Sequence, residues 1–285
     1  MFDRHASLGS SQIINYQASS DGKWLLLVGI SKGADGSVQG NMQLYSTEKN
    51  VSQPLQGHAG CFCDIKVNGE DNSRIVFCFV EKKQGASPKL FVMEVGRQPG
   101  APGQMFKLAP RDIPFPPEAA QDFPVSLLCS KKHDVLYLVT KLGYLYLFDV
   151  HTGTPLYRNR ISADVIFVTC PETVNDGILG VTARKGQVLN ITINEANLVP
   201  YILGTLRTPQ LAIQLASRLN LPGAEDLYNQ EFERLMGTGD YKAAATFAAN
   251  SPQGILRNPE TIARFQALQG QPGQPSPGLQ YFSAL

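Results

Sequence analysis

The hydrophobic period of this chain changes once, near residue 194, and that change constrains the fold more than any single motif. Up to about residue 193, short apolar runs rich in β-branched and aromatic residues alternate with clusters of Gly, Pro, Asn and Asp. That is the pattern of strands and tight turns. The runs predict strands at 11–18, 23–30, 40–46 and 51–57, then at 61–67, 74–82, 89–95 and 105–110. A third group follows at 123–130, 135–142, 144–150 and 155–162, and a last at 165–171, 177–184 and 186–193. Groups of four recurring every ~40 to 60 residues have the spacing of propeller blades. No Gly-His and Trp-Asp signature recurs, which argues against a regular WD-repeat protein, and a single β-sandwich rarely needs so many strands. The last group holds three strands, and closed propellers complete such a blade from the other chain end. With no such strand visible at the amino end, the chain reads as beginning inside a larger propeller whose first blade has an open edge. The isolated piece is then expected to be marginal or self-associating.

Beyond Ile193 the apolar residues fall three or four apart, first Leu198, Tyr201, Ile202 and Leu206, then Leu211, Leu215 and Leu219, which is helical spacing. Thr208-Pro209 reads as a cap followed by proline at the first helical position, and Leu221-Pro222-Gly223 separates that helix from one at about 222–237. Asp240 opens an alanine-rich helix at about 240–250, whose small side chains permit close packing, and another helix follows at about 258–267. Short helix pairs of this kind are the sequence pattern of an α-solenoid. The Gln-, Pro- and Gly-rich stretch 269–278 reads as a connector, and 279–285 as the apolar end of a solenoid cut short. The division is therefore 1–193, β, and 194–285, α.

Charged residues make up only 17% of the chain and the formal net charge is +1, so there is no basic surface for nucleic acid and no acidic tail. No secretory signal opens the sequence and no apolar run reaches the ~18 residues that span a bilayer, so the expectation is a soluble, intracellular chain. Cys61, Cys63, Cys78, Cys129 and Cys170 lie on strand-like runs and read as reduced, buried thiols. The sequons at Asn50 and Asn190 carry no weight without secretion.

Chemistry is hard to place on this sequence. It has no phosphate loop, dinucleotide fingerprint, nucleophile elbow or paired metal-ligand motif. His133-Asp134 falls in a polar turn with Lys131 and Lys132 and reads as a solvated hairpin, while Cys61, Cys63 and Cys78 lack a fourth ligand at a sensible spacing. A hydrolytic propeller would converge acidic, basic and imidazole side chains on its inner strands, yet 11–18, 61–67, 123–130 and 165–171 offer mainly apolar and small ones. A docking and scaffold protein without catalysis, metal or cofactor is the favoured reading. A propeller enzyme and a pure spacer are the alternatives.

Several longer words carry a resemblance: Met1-Phe2-Asp3-Arg4-His5, Gln12-Ile13-Ile14-Asn15-Tyr16, Met42-Gln43-Leu44-Tyr45-Ser46, Phe115-Pro116-Pro117-Glu118-Ala119, Asn159-Arg160-Ile161-Ser162 and Arg184-Lys185-Gly186-Gln187-Val188-Leu189. In the helical part they are Leu221-Pro222-Gly223-Ala224-Glu225, Ser251-Pro252-Gln253-Gly254-Ile255-Leu256-Arg257 and Leu279-Gln280-Tyr281-Phe282. Together they resemble the clathrin heavy chain family over essentially the whole chain. The resemblance implies about four later blades of a seven-bladed β-propeller, followed by the helical linker that begins a solenoid leg. It further implies a coat component acting in endocytosis and intracellular protein transport, on the cytosolic face of coated pits and vesicles, that meets membranes only through adaptors. Light-chain binding and trimerisation would belong to regions of the family outside this segment, as would the clathrin-box groove between its first two blades.

Two docking sites are implied residue by residue. The groove for arrestin-type loop peptides, between the fourth and fifth blades of the family, matches Trp24, Leu44, Lys49, Val51 and Gln53. An aromatic wall and two aliphatic residues would bury leucines, with a cation and an amide at the rim. Lys49 stands where the family often has Arg, keeping the charge but losing the planar fork. The alternative is that Trp24 and Leu44 are ordinary blade core. A second site, near the propeller's top, matches Gln12, Ile14 and Ile30, the rest of its wall coming from a blade outside this segment.

Overall fold

Alternating β-branched and aromatic residues pair into four antiparallel sheets in which each strand lies beside the next in sequence. The protein is described by a computed structural model over residues 3–34, 36–67, 70, 72–83, 85–97, 100, 103–268 and 275–285, the side chain of 167 excepted. The first sheet contains β1 (Gln12–Ala18), β2 (Trp24–Lys32), β3 (Val38–Ser46) and β4 (Val51–Gln56), the second β5 (Ala59–Ile65), β6 (Arg74–Glu81), β7 (Lys89–Glu94) and β8 (Arg111–Asp112). The third contains β9 (Pro124–Ser130), β10 (Val135–Thr140), β11 (Tyr144–Asp149) and β12 (Pro155–Arg160), the fourth β13 (Ile166–Glu172), β14 (Gly177–Thr182) and β15 (Val188–Ile191). This is a propeller-like array of four blades, followed by six α-helices among the described residues. The chain divides into two compact units, Met1–Thr192 and Ile193–Leu285.

One strand departs from expectation. The run 105–110 pairs with β7 only through Met93 and Lys107, and the strand proper comes later, with Leu90 opposite Arg111 and Lys89 opposite Asp112. The register slips by one residue across Ala109-Pro110, because proline has no N–H to give to the ladder.

The β unit is held by side chains at the faces where sheets meet. Leu26, Val28, Met42 and Leu44 of the first sheet pack on Phe77 and Phe79 of the second. The opposite face of the second sheet, with Cys63, Val76, Cys78 and Val80, packs on Leu127, Leu136 and Phe148 of the third. Strand β6 supplies both, since successive side chains point to opposite faces. Phe62, Phe77, Phe79 and Phe91 form a run of rings with centroids 5.4, 5.1 and 4.7 Å apart. Gly60 leaves the notch that admits Leu26, whose Cδ2 would lie 2.8 Å from a Cβ built there. Gln43, fully buried, pins the segment before β1: its amide donates to Asp3 O at 3.1 Å and to Ser52 Oγ at 2.9 Å, and its oxygen accepts from His5 N at 2.9 Å.

In the helical unit, α1 (Glu195–Tyr201) runs into a π-helical turn over Ile202–Leu206, close behind Pro200, which cannot donate within the helix. Next come α2 (Pro209–Leu219), α3 (Glu225–Thr238), α4 (Tyr241–Ala249), α5 (Pro259–Ala267) and α6 (Pro277–Ala284). Pro209 occupies the first position of α2, but the Thr208 side chain makes no capping bond. The helix expected from about 222 begins at Glu225, because Gly223 takes a φ of +85° against the ring of Pro200. Ala244, Ala245 and Ala248 are fully buried where α4 meets α3 and α6. Phe265 stacks on Tyr281 at 4.9 Å, and the Tyr281 hydroxyl donates to Leu256 O at 3.1 Å. The expected connector 269–278 is shorter than its composition suggests: 269–274 lie outside the described residues, and 277–278 already belong to α6, capped by Ser276 Oγ, which accepts from Leu279 N at 3.3 Å. None of the described helices is long and apolar enough to cross a membrane.

Asp240 opens α4 as expected, its Oδ1 accepting from Ala243 N at 3.0 Å. Asp240→Ala leaves that first-turn donor to water and should cost about 1 kcal/mol of helical-unit stability. Urea unfolding of the full chain followed by circular dichroism at 222 nm checks this, and an unchanged midpoint would show that the cap contributes nothing.

Candidate peptide-docking groove

Paired residues in a sheet share a face, as do residues two apart along a strand. In the first sheet Trp24 pairs with Ser46 and Ser46 with Val51, while Leu26 pairs with Leu44 and Leu44 with Gln53. Trp24, Leu44, Val51 and Gln53 therefore stand on one face, the face turned to the second sheet. Burial falls steadily across it. Leu26 and Met42 are fully buried, Leu44 nearly so, Trp24 is half-buried, and Val51 is 59% exposed with Gln53 beside it in solvent. Leu44 thus belongs to the core, while Trp24, Val51 and Gln53 stand progressively toward solvent on the same face.

Lys49 lies in the turn between β3 and β4, exposed, with its N–H donated to Ser46 Oγ at 3.3 Å. That turn is fixed from both sides. Asn50 adopts a φ of +52° and its Oδ1 accepts from Tyr45 Oη at 2.9 Å, while Thr47 Oγ1 donates to Gly22 O at 3.1 Å. Trp24 is anchored through its backbone N–H, which donates to Ser19 Oγ at 3.0 Å, and Ser19 Oγ in turn donates to Asp21 Oδ1 at 2.6 Å. Slight burial opposes charge on Asp21, but the Ser19 hydroxyl and the Lys23 N–H hold its carboxyl below the usual range.

The second set is placed differently. Gln12 pairs with Ile30, whereas Ile14 occupies a bulge between the Ile13–Gly29 and Asn15–Val28 pairs. Gln12 and Ile14 are exposed on β1, at the margin of the first sheet.

The residues weighed for chemistry are placed as follows. His133 is buried, not solvated as the polar turn suggested. Its Nδ1 lies 3.0 Å from Ser130 Oγ, which donates to Asp176 Oδ2 at 2.6 Å; the Lys132 N–H also donates to that oxygen at 2.6 Å. Serine stands between the other two, whereas nucleophilic activation needs histidine in the middle, so the cluster clasps the β9–β10 turn to the turn before β14. Cys61, Cys63 and Cys78 are buried between the second and third sheets, with Cys63 and Cys78 sulfurs 3.7 Å apart, and burial pushes the Cys61 and Cys63 thiols well up. Cys170 departs from expectation, being exposed on the open face of the fourth sheet with Val168 and Val188.

Comparison with known sequences covers both units. The heavy-chain linker profile of clathrin matches residues 195–218 and the Clathrin-H-link profile residues 220–285. Across its full length the chain is 50% identical to the probable clathrin heavy chain 1 of Caenorhabditis elegans, 48% to the clathrin heavy chain of Drosophila melanogaster and 47% to clathrin heavy chain 2 of Homo sapiens. The chain is similar to clathrin heavy chains from end to end. It spans 17% of the length of each of these clathrin heavy chains.

Sequence reading missed Gly96. It sits just past β7 with a φ of +75°, and a Cβ built on it would lie 3.0 Å from Trp24 Nε1. A glycine directly after a strand is a turn signal, but its approach to Trp24 is visible only in three dimensions.

Proposed function

We propose that this segment of a clathrin heavy chain docks short linear peptides of adaptor proteins, of the arrestin loop type, in the groove between its first and second sheets. The observation that supports this reading is the single-face alignment of Trp24, Leu44, Val51 and Gln53, with Lys49 at its rim. An apolar floor that rises to an exposed aliphatic and amide lip accepts leucine side chains, and the lysine selects for a carbonyl or acidic group. Through such contacts the parent protein would act as a scaffold of the vesicle coat on the cytosolic face of coated pits, in endocytosis and intracellular transport, touching membranes only through adaptors. Gln12, Ile14 and Ile30 would contribute part of a second peptide site.

Titrating a synthetic arrestin-type loop peptide into the full chain by calorimetry tests the groove. Lys49→Glu should weaken binding at least about fivefold and reverse its salt dependence. Equal affinity of the two chains at low salt would remove Lys49 from the site, and no binding by the unaltered chain would leave the spacer reading.

A further inference from the structure

Trp24 is the only tryptophan of the chain, and the polar edge of its ring is open. Its indole Nε1 has no hydrogen-bond partner among the described residues, yet it is not one of the buried polar atoms sealed from water. The residue opposite is Gly96, itself exposed. A Cβ there would stand 3.0 Å from Nε1, 3.7 Å from Cε2 and 4.0 Å from Cζ2, so any side chain at 96 would lie over the N–H. Trp24 packs against the same apolar cluster as Leu44, Met93 and Val95.

We propose that Gly96 is a specificity-determining residue of the groove, keeping the Trp24 indole N–H free to donate to a main-chain carbonyl of the bound peptide. The inference rests on the docking function proposed above. Its chemistry follows from the surroundings. Apolar side chains of the cluster favour apolar peptide side chains, so the acceptor that meets the indole N–H comes from the peptide backbone. The glycine matters through what it lacks: the ligand chain can approach the ring edge only where no Cβ intervenes. The groove therefore selects an extended segment whose carbonyl can reach Nε1 while its leucines sit against Leu44 and Val51.

The test uses the full chain and an arrestin-type leucine-bearing loop peptide, with calorimetry as the readout for every chain and Trp24 emission added for those that keep Trp24. Trp24→Phe keeps an aromatic wall but removes the donor, and should weaken binding about fivefold, the effect of one hydrogen bond. Gly96→Asn, a residue that tolerates positive φ, should weaken binding more than tenfold while leaving the urea midpoint near that of the unaltered chain. The double variant should bind no more weakly than Gly96→Asn alone, because the donor is already covered. Unaltered binding by Trp24→Phe overturns the inference while leaving the docking function standing, and so does unaltered binding by a folded Gly96→Asn. If Gly96→Asn unfolds, Trp24→Phe alone decides. A chain that fails to bind the peptide at all overturns both.

Discussion

Truncating Phe77 to alanine is expected to lower the stability of the β unit by about 3–5 kcal/mol, the cost of removing a large aromatic side chain from a closed core. Phe77 is 1% exposed and lies between Phe62 and Phe79 in the ring series that joins the first two sheets. Its neighbours Leu26 and Gly60 are held by paired backbone and cannot collapse into the space. Urea unfolding followed by Trp24 emission reports on this same interface, and the midpoint should fall by more than about 1 M. A loss below about 1 kcal/mol would mean that the two sheets repack freely and do not share a fixed core.

The second large effect is electrostatic. Glu94, 6% exposed, pairs with Arg74 at 3.0 Å and Arg97 at 3.1 Å and accepts from Phe106 N at 2.8 Å. Glu94→Ala takes this carboxylate from Arg74 and Arg97, although Arg74 keeps Glu70 and the Gln104 carbonyl, and should cost about 2 kcal/mol, the effect of losing hydrogen bonds to a charged group. Burial opposes charge on this carboxylate, but the Phe106 N–H and the two arginines outweigh it and hold its pKa below the usual 4.5. A depressed native pKa means that the unfolded chain binds the proton more readily. The stabilisation is therefore present above about pH 4.5 and disappears as pH falls through the native value. Urea midpoints measured between pH 7 and 3.5 should decline on the acid side, and Glu94→Gln should flatten that decline. An acid limb of equal slope in both chains would show that other carboxylates carry it.

Most of the β architecture was legible because each strand carries its own signal. Paired runs such as Trp24–Lys32 and Val38–Ser46 need only β-branched and aromatic residues between turn formers. The fourth strand of the second sheet was not, because Pro110 divides it and moves the register by one residue. Helix α6 was hidden for the opposite reason: Pro277 and Gly278 read as breakers, although serine followed by proline is also how helices begin. The family resemblance supplied Trp24, Leu44, Lys49, Val51 and Gln53, and strand parity explains why all but Lys49, which lies in a turn, share a face. Gly96 and the burial of His133 depend on contacts between distant segments, for which neither spacing nor composition leaves a trace.

Strand β6 has a neighbouring sheet against each of its faces and a paired strand along each of its edges. Its amide protons have no route to solvent that leaves both flanking sheets intact. Deuterium should enter there only when the whole unit opens, whereas at β15, the margin of its sheet, it should enter through local fraying. A peptide held on the first sheet would then slow exchange along β6, well outside its own footprint, because binding to the folded form alone raises the free energy of the opening that β6 requires.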